Sequence, residues 1–593
     1  MRRTRNAGAL RGLMIAVVVA AVLGTGSPVW AVSYTAVANG NWSDTATWGG
    51  GPPNGTGDNA ALSRFAVTLD VSRVIGGVLM NNTTSRLDTA GNTLTVHGGL
   101  VFSNGTITGS GEVIVTNSAL TMRTVGTTLP PPTNAATLTL WGGGDIYGAG
   151  AATVPRNDGV INMRSGLVTL GPSRAFGGNG TWNVSSGVTL QITGNASGGS
   201  IGGSFNNDGT VTCSNATSWG FATATSGNGS HRGSFSGSVP AMTFNGTNVF
   251  HSGATVQVAA VSVYDAAWEA GSSLNASNLT ILNNGSLSSE IPITVYGLTC
   301  GTGVRSIGGS GVINCISNFS WQGVWMSGAA LTAGTFTVNL SGAVSNDRSI
   351  TVLNGGSFTG SSANVAFSNR SSIALLGGEF VVNVGGSVSR LLVGNGTLFI
   401  GPGATLHRTV GSTTLAHQNL TTNAGTIKAS TPRINFNGGL VQTATGALRG
   451  NGGTLGGVLT IDGGRIAPGD ADGAAGTLTL AGTNNLSAAA KIGIELGGTT
   501  TNDYDRLLGG RFDLNNCSLE VGFINGFQNT VQNSDTFLVV TGAVNGAFGN
   551  LTGGRVVIGD KGSFLVTVTT GPSGSVVLGD YKDSSRGTLF LVR

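Results

Sequence analysis

Short stretches of alternating apolar and polar residues recur along most of the chain, and turns of Gly, Asn, Asp or Ser separate them. From about residue 66 to 485, each alternation lasts four to six residues, which is typical of β-strands that bury one face. Helical periodicity is nearly absent from this stretch. The pattern therefore predicts an all-β protein.

A loose unit, Asn-x-Gly followed by Thr, Ser or Val and an apolar residue, recurs through this region. Clear examples begin at Asn157, Asn207, Asn283, Asn354, Asn395 and Asn423. We expect Asn and Gly to supply positive φ angles at tight corners and the following residues to form a strand. Each unit is too small to bury its own apolar face, so successive units must stack.

Stacked units of this kind predict a single-stranded right-handed parallel β-helix, with polar corner residues aligned as side-chain ladders. A turn of roughly 20 residues gives about 20 turns, each about 4.8 Å from the next. Strict two-residue hairpins would instead produce a sandwich or a barrel. The short strands and irregular spacing favour the β-helix.

The first 31 residues have the features of a secretory signal peptide. Four arginines accompany an apolar run from Leu13 to Leu23, and the small-residue site Val29-Trp30-Ala31 follows. The run is too short to span a membrane. We expect cleavage after Ala31, export to the cell surface or the medium, and no remaining transmembrane span.

Removal of this segment also changes the charge of the protein. The full chain has 29 Lys and Arg residues, so loss of four arginines leaves 25, equal to the 25 Asp and Glu residues. A neutral and thinly charged chain lacks the basic surface on which nucleic-acid binding depends. We therefore expect no nucleic-acid partner.

Three regions are predicted after the signal peptide. Residues 32–65 form an N-terminal cap, in which Trp42 and Trp48 pack beside a Gly/Pro corner. Residues 66–485 form the parallel β-helix. Residues 486–593 form a small C-terminal antiparallel β domain that covers the open end of the coil.

Two motifs carry a resemblance to a known family. The segments 446–455, 463–470 and 476–480 resemble autotransporter-associated β-strand repeats, and the W-S-D-x-x-T-W-G-G motif at residues 42–50 is similar to the opening of many secreted bacterial β-helix proteins. The resemblance implies a passenger-like right-handed β-helix at the bacterial surface or in the medium, often an adhesin or stalk. Residues 486–593 contain few strands typical of a translocator barrel, so we do not expect one.

Polysaccharide lyases and hydrolases share the β-helix fold and depend on acids that converge from neighbouring turns. The nearest candidates for catalysis are Asp265 and Glu269, which flank Trp268, and Glu290 one turn away. Solvated turns are the simpler interpretation. Trp321 and Trp325 are candidates for stacking on a carbohydrate ring, but packing in the core or a loop is the simpler interpretation.

Two short acidic segments resemble the first half of a calcium loop but lack the remaining ligands. They contain Asp470 and Asp472, and Asp503 and Asp505. We expect exposed turns and no cofactor, with a bound Ca²⁺ ion as the alternative.

The cysteines and histidines form no recognisable metal or catalytic motif. Cys300 and Cys315 could form a local disulfide, or they and the other two cysteines, Cys213 and Cys517, could be buried thiols. The histidines are expected to be surface or strand residues: His97, His231, His251, His407 and His417.

These observations lead to one preferred function and one alternative. The preferred function is a non-catalytic secreted or cell-surface β-helix protein that acts as an adhesin, a stalk or an extracellular structural component. Its partners would be extracellular glycans or neighbouring cell-surface components. The alternative is a carbohydrate-active lyase or hydrolase.

Overall fold

A computed structural model describes residues 32–584 except 118–119, 125–129, 149–153, 172–174, 194–198, 215–217, 222–226, 324, 340–343, 361–365, 385–389, 411–413 and 431–432. The predicted signal peptide lies outside the described residues. The described chain is 61% strand and 1% helix, and it winds into a parallel β-solenoid of about 18 turns. At about 4.8 Å per turn, the coil is roughly 85 Å long. The all-β parallel coil predicted from the sequence is confirmed.

The strands are short in the first half of the coil and longer in the second. The first twenty are β1 Val32–Thr35, β2 Gly40–Asn41, β3 Asp58–Ala61, β4 Ala66–Thr68, β5 Arg73–Ile75, β6 Gly77–Met80, β7 Arg86–Asp88, β8 Thr93–Val96, β9 Leu100–Phe102, β10 Thr106–Thr108, β11 Glu112–Val115, β12 Leu120–Arg123, β13 Thr133–Asn134, β14 Thr137–Leu140, β15 Gly144–Tyr147, β16 Arg156–Asn157, β17 Val160–Met163, β18 Leu167–Leu170, β19 Ala175–Phe176 and β20 Thr181–Val184.

The next twenty are β21 Thr189–Thr193, β22 Gly199–Ile201, β23 Ser204–Asn207, β24 Thr210–Ser214, β25 Trp219–Phe221, β26 Asn228–His231, β27 Ser234–Gly237, β28 Ala241–Phe250, β29 Thr255–Gln257, β30 Ala260–Trp268, β31 Ser273–Asn275, β32 Asn278–Ser289, β33 Ile293–Val295, β34 Gly297–Cys300, β35 Ser306–Gly308, β36 Ile313–Trp321, β37 Trp325–Met326, β38 Leu331–Asn339, β39 Val344–Asn346 and β40 Ile350–Val352.

The remaining strands are β41 Gly356–Gly360, β42 Phe367–Asn369, β43 Ser372–Val384, β44 Leu392–Val393, β45 Thr397–Arg408, β46 Leu415–His417, β47 Leu420–Asn423, β48 Thr426–Ala429, β49 Arg433–Gln442, β50 Ala447–Gly450, β51 Thr454–Ile461, β52 Arg465–Pro468, β53 Thr477–Leu486, β54 Lys491–Leu496, β55 Arg506–Asp513, β56 Ser518–Phe523, β57 Phe537–Asn545, β58 Arg555–Val557, β59 Ser563–Thr569 and β60 Gly571–Lys582. One four-residue helix, α1 Thr45–Trp48, and one 3₁₀ turn, Phe527–Asn529, complete the described elements.

Each turn in the first half contributes three strands, and each strand pairs in parallel with its counterpart one turn later. Strands β13, β14 and β15, for example, pair with β16, β17 and β18. In later turns, two of the three strands are joined into one longer strand. Strand β28 pairs with both β25 and β26, and a register shift in its pairing with β30 falls between Phe244 and Thr247. The long strand bends at such a register shift, so the coil still turns a corner there.

The two ends of the coil are closed differently. At the start, β1 already pairs in parallel with β3, so residues 32–65 belong to the first turns, while Trp42 and Trp48 fill the end. Their ring centroids are 4.9 Å apart, and the Trp48 Nε1–H donates to the Trp42 carbonyl over 2.8 Å. These contacts agree with the packing predicted for the two rings.

At the other end, parallel pairing continues past residue 485, because β55 pairs in parallel with β57. Apart from isolated bridges, antiparallel pairing between the described strands begins where β60 covers the free edge of β57 and pairs with β59. The predicted antiparallel strands at the C-terminal end are therefore present, but they start later than residue 486. Pairing the last edge removes an exposed template for association with other strands.

Inward-facing Val, Leu, Ile and Phe side chains fill the coil, and two histidines lie among them. The His231 ring centroid is 5.0 Å from those of both Phe235 and Phe250, and its Nε2 is 3.1 Å from Asn248 Oδ1. His417 is equally buried. Burial disfavours the charged ring and lowers the pKa of His231 to about 4 and that of His417 to about 3. Both histidines lie in strands, as one of the two predicted placements has it, but their side chains face the core rather than the surface.

The asparagine of several Asn-x-Gly units points into the coil. Asn207 is fully buried; its Oδ1 accepts the Gly209 N–H over 3.0 Å, and its Nδ2 donates to the Ser234 carbonyl of the next turn over 3.1 Å. Asn157 and Asn423 make the same bond to the next turn, over 3.0 and 3.2 Å. The amide therefore satisfies backbone groups that the corner leaves unpaired.

Positive φ angles occur, as predicted, at Asn284, Gly355 and Gly356, but the glycine of three other units has a different role. Gly159, Gly209 and Gly425 do not have positive φ angles. A Cβ atom on Gly159 would instead lie 2.1 Å from the Ala136 carbonyl oxygen of the preceding turn, and one on Gly425 would lie 2.1 Å from the Gly401 carbonyl oxygen. Close approach of two turns, rather than a left-handed conformation, requires glycine here.

We predict that Gly159→Ala destabilises the protein by about 1–3 kcal/mol, because the added methyl group overlaps the neighbouring backbone. The matched control is Gly522→Ala in β56, where a Cβ atom has no neighbour within 4 Å. Urea unfolding of both variants measures the difference. Equal midpoints for Gly159→Ala and the wild type would show that the turns do not approach as closely as described.

Candidate functional site

A column of polar side chains follows the outer surface of the coil, with one residue on each turn. Asn162, Asn183 and Asn206 occupy the same register position in β17, β20 and β23, and we call them the amide ladder. Asn183 Nδ2 donates to Asn162 Oδ1 and Asn206 Nδ2 donates to Asn183 Oδ1, both over 2.8 Å. The next turn continues the column, because the Ser230 N–H donates to Asn206 Oδ1 over 3.0 Å.

A second column lies beside the amide ladder, at the corners that follow β17, β23 and β26. It contains Arg164, Asp208 and Arg232, and the carboxylate of Asp208 is 3.7 Å from Arg232 Nη1. The two columns enclose a groove of about 300 Å³, which Ser230 also lines. We call this space the polar groove. Its walls are amides, hydroxyls and charges, apart from Val184.

Three turns meet at the end of the polar groove and bring a serine, a histidine and a glutamate into contact. Ser230 Oγ is 3.0 Å from His251 Nε2, and His251 Nδ1 is 2.8 Å from Glu269 Oε2. Ser230 lies in β26, while His251 and Glu269 directly follow β28 and β30. Backbone bonds from the His251 N–H to the His231 carbonyl and from the Glu269 N–H to the Phe250 carbonyl fix the two corners.

The chemistry of these groups determines the direction of each hydrogen bond. An ionised carboxylate only accepts, so His251 Nδ1 carries the proton and donates to Glu269. The other nitrogen of a neutral imidazole is an acceptor, so Ser230 Oγ–H donates to His251 Nε2. This is the arrangement in which a serine hydroxyl loses its proton to a histidine that a carboxylate orients.

A similar set of residues lies further along the coil but distributes its protons differently. His407 Nδ1 is 2.5 Å from Glu379 Oε1, and His407 Nε2 is 2.9 Å from Ser430 Oγ. Here, however, Ser430 Oγ–H donates to Asp470 Oδ1 over 3.0 Å. The serine proton is therefore directed away from the histidine, and Asp470 is also 3.5 Å from Lys428 Nζ.

Sequence reasoning singled out Glu269 but not the residues it contacts. His251 and Ser230 are separated from one another by 21 residues, and Glu269 follows His251 by 18. These spacings are close to the length of one turn, as are the 21 and 23 residues between members of the amide ladder. A spacing of about one turn is the signal that links these residues, but its value varies from 18 to 23 residues.

The other acidic candidates do not join Glu269 in one site. Asp265 forms an ion pair with Arg305, whose Nη2 is 2.5 Å from Oδ2, and accepts a hydrogen bond from Ser286 Oγ over 2.7 Å. Glu290 accepts the Ala270 N–H over 3.1 Å. Both carboxylates are therefore bonded to groups on other turns of the coil, and neither shares a site with Glu269.

The two candidate tryptophans do not form a common surface. Trp321 is 0% exposed and packs against Phe319, with ring centroids 5.9 Å apart. Trp325 is 44% exposed, and its Nε1–H donates to Asp347 Oδ2 over 2.8 Å. Trp321 therefore cannot stack on a carbohydrate ring, whereas one face of Trp325 is accessible.

The candidate calcium ligands are held by other groups. Asp470 accepts from Ser430, while Asp472 is 2.5 Å from Arg449 Nη2 and 3.3 Å from Arg465 Nη1. Two arginines beside one carboxylate leave it poorly suited to bind a cation. The partners of Asp472, above all the Arg449 hydrogen bond, lower the pKa of that carboxyl.

The second acidic pair is also divided. Asp503 accepts a hydrogen bond from Thr500 Oγ1 over 2.6 Å at the surface. Asp505 is 1% exposed and accepts the N–H groups of Gly476 and Glu495, over 2.8 and 2.9 Å. Asp505 therefore fixes the approach of two backbone segments and is not the exposed turn residue predicted.

The four cysteines are buried free thiols, so the alternative with a Cys300–Cys315 disulfide is not formed. Burial raises the pKa of Cys213 and of Cys517 to about 12, which disfavours the reactive thiolate. Within the described ranges, no three His, Cys, Asp or Glu residues are grouped so as to hold a metal ion.

No family model matches the chain, and no curated protein matches it. The resemblance to autotransporter-associated repeats therefore stays a prediction. Among the residues that the structure describes, no helix is both long enough and apolar enough to cross a membrane.

Asp505 generates a prediction about stability and pH. Burial raises its pKa from 3.8 to about 7, so between these values the folded protein keeps a proton that the unfolded chain loses. The contribution of Asp505 to the free energy of unfolding must therefore fall as the pH rises from about 4 to 7, by up to about 1.4 kcal/mol per pH unit.

Urea unfolding of wild type and Asp505→Asn at several pH values tests this expectation. Between about pH 4 and 7, the free energy of unfolding of Asp505→Asn should fall less than that of the wild type, because the amide side chain does not ionise. Asp503→Asn is the matched control, since Asp503 lies two residues away at the surface. Parallel pH profiles for Asp505→Asn and the wild type would refute the assignment.

Proposed function

We propose that the protein is an exported β-solenoid that acts as an adhesin, a stalk or a structural component outside the cell, and that it binds extended glycans in the polar groove. The continuous amide ladder is the observation that carries the proposal. The resemblance to passenger-like bacterial β-helix proteins supports the cellular location.

The geometry of the polar groove suits an extended carbohydrate chain. Amide and hydroxyl groups repeat along the coil at about 4.8 Å, which is close to the length of one pyranose unit in an extended chain. Arg164, Asp208 and Arg232 add charged donors and acceptors along one wall. A ligand with hydroxyl groups at regular intervals could hydrogen-bond to successive turns without deforming the rigid coil.

Cleavage of the glycan backbone is not part of this proposal. Glycosidases pair two carboxyl groups about 5 to 10 Å apart across the scissile bond, and one of them acts as an acid. Asp265 is instead neutralised by Arg305, and Glu269 orients His251. These contacts favour a role in binding over the alternative of a glycoside hydrolase or lyase.

Export predicts a specific processed terminus. Expression of the full chain in a secreting bacterial host should release a protein that begins at Val32, because the small-residue site ends at Ala31. N-terminal sequencing of the secreted material measures this directly. Secreted protein that begins at Met1, or retention of the whole chain in the cytoplasm, would contradict the proposed location.

Binding to the polar groove predicts that Asn183→Leu weakens the affinity for glycans, by about tenfold or more, because it removes hydrogen-bonding groups from the centre of the ladder. The variant should be measured on an array of neutral and acidic polysaccharides and then by calorimetry. Gln191→Leu is the matched control, because Gln191 lies on the same turn but in the neighbouring sheet. Equal effects of the two substitutions, or no binding by the wild type, would contradict the proposal.

A further inference from the structure

We propose that Ser230, His251 and Glu269 form an esterase site that removes short acyl groups from the polymer bound in the polar groove. The identity of the polymer rests on the proposed function, whereas the hydrolysis of a simple ester does not. The proposal thus adds a catalytic activity to the binding role.

The contacts assign a separate role to each residue. Ser230 Oγ has His251 Nε2 as its acceptor at 3.0 Å, and Glu269 Oε2 holds the opposite nitrogen at 2.8 Å. Both distances are within the range of about 2.6–3.2 Å expected for proton transfer. Three successive turns of a rigid coil supply the residues, so their geometry does not depend on a flexible loop.

Hydrolysis of the ester takes place in two stages, through an acyl-serine. Ser230 Oγ attacks the ester carbonyl carbon while its proton passes to His251 Nε2, and the imidazolium that forms is stabilised by Glu269. Collapse of the tetrahedral intermediate breaks the bond to the alkoxy oxygen, which leaves as the free hydroxyl with the proton from His251. Water then repeats these steps on the acyl-serine, with His251 as base, and releases the carboxylic acid.

Groups that could stabilise the negatively charged intermediate line the same groove. Arg232 carries several N–H donors and is only loosely paired with Asp208, at 3.7 Å. The Asn206 amide uses one N–H to reach Asn183, and its second N–H is a further donor. Arg232 is the stronger candidate because its charge opposes that of the oxyanion.

The walls of the polar groove limit the acyl group. Val184 is the one apolar side chain among the residues that line it, so a long alkyl chain would have no surface on which to bury itself. Acetyl and similarly short acyl groups fit this environment. The alcohol part is expected to be a hydroxyl group of a polar polymer.

The chain contains its own negative control. Ser430 contacts His407, which in turn contacts Glu379, but the proton of Ser430 is directed to Asp470. A hydroxyl group has a single proton, and Ser430 directs it to Asp470 rather than to His407. We therefore expect this site not to react.

The test uses the mature full-length protein and p-nitrophenyl acetate as the small probe. We expect hydrolysis above the buffer rate and covalent labelling of Ser230 by a fluorophosphonate, located by mass spectrometry of peptides. Ser230→Ala and His251→Gln should each lower the hydrolysis rate by at least about 100-fold. Ser430→Ala should leave it unchanged. Glu269→Gln, as a positioning variant, should lower kcat more than it raises KM.

Acetylated and deacetylated forms of one polysaccharide separate this proposal from the proposed function. Acetate release that requires Ser230, together with loss of polymer affinity in Asn183→Leu alone, would support both. Esterase activity on the small probe without polymer binding would overturn only the proposed glycan ligand. No activity above that of Ser230→Ala, or labelling at a residue other than Ser230, would overturn the esterase site.

Discussion

Parallel pairing places each turn of the coil about 4.8 Å from the next, and the other features of the structure depend on this fixed spacing. Whatever residue occupies a position must fit against the residue at the same position one turn away. Gly159 leaves no room for a Cβ atom beneath the Ala136 carbonyl, and Asn207 reaches the Ser234 carbonyl of the following turn. At these corners the motif therefore specifies contact between turns, while at Asn284 and Gly355 it supplies the left-handed conformation of one turn.

The same spacing organises the outer surface. Side chains that share a register position form columns, and neighbours in a column must be compatible in charge and hydrogen bonding. Asn183 both accepts and donates within the amide ladder. In the adjoining column, Asp208 lies beside Arg232 and Glu269 lies beside His251. An elongated binding surface thus arises from positions that also stabilise the stack.

Alternation and turn composition were sufficient to predict the all-β coil and the antiparallel strands at its C-terminal end. The functional arrangement could not be predicted in the same way, because turn length varies: 21 residues separate Ser230 from His251, but 18 separate His251 from Glu269. A difference of one residue moves a side chain from the surface to the interior. The buried positions of Trp321 and His231 show the consequence, since local sequence does not distinguish them from exposed aromatic residues.

The two serine, histidine and glutamate sets show that proximity alone does not define a reactive site. The corresponding nitrogen-to-oxygen distances in the two sets differ by at most 0.3 Å. The difference between the sets is that the second has an additional acceptor for the serine proton. Asp470, brought within reach of Ser430 by a later part of the coil, takes the proton on which nucleophilic attack depends. Ser230 instead lines an open groove, and its hydroxyl is 3.0 Å from His251 Nε2. In a solenoid, where similar residues recur on many turns, the neighbours that compete for a proton decide which copy is suited to catalysis.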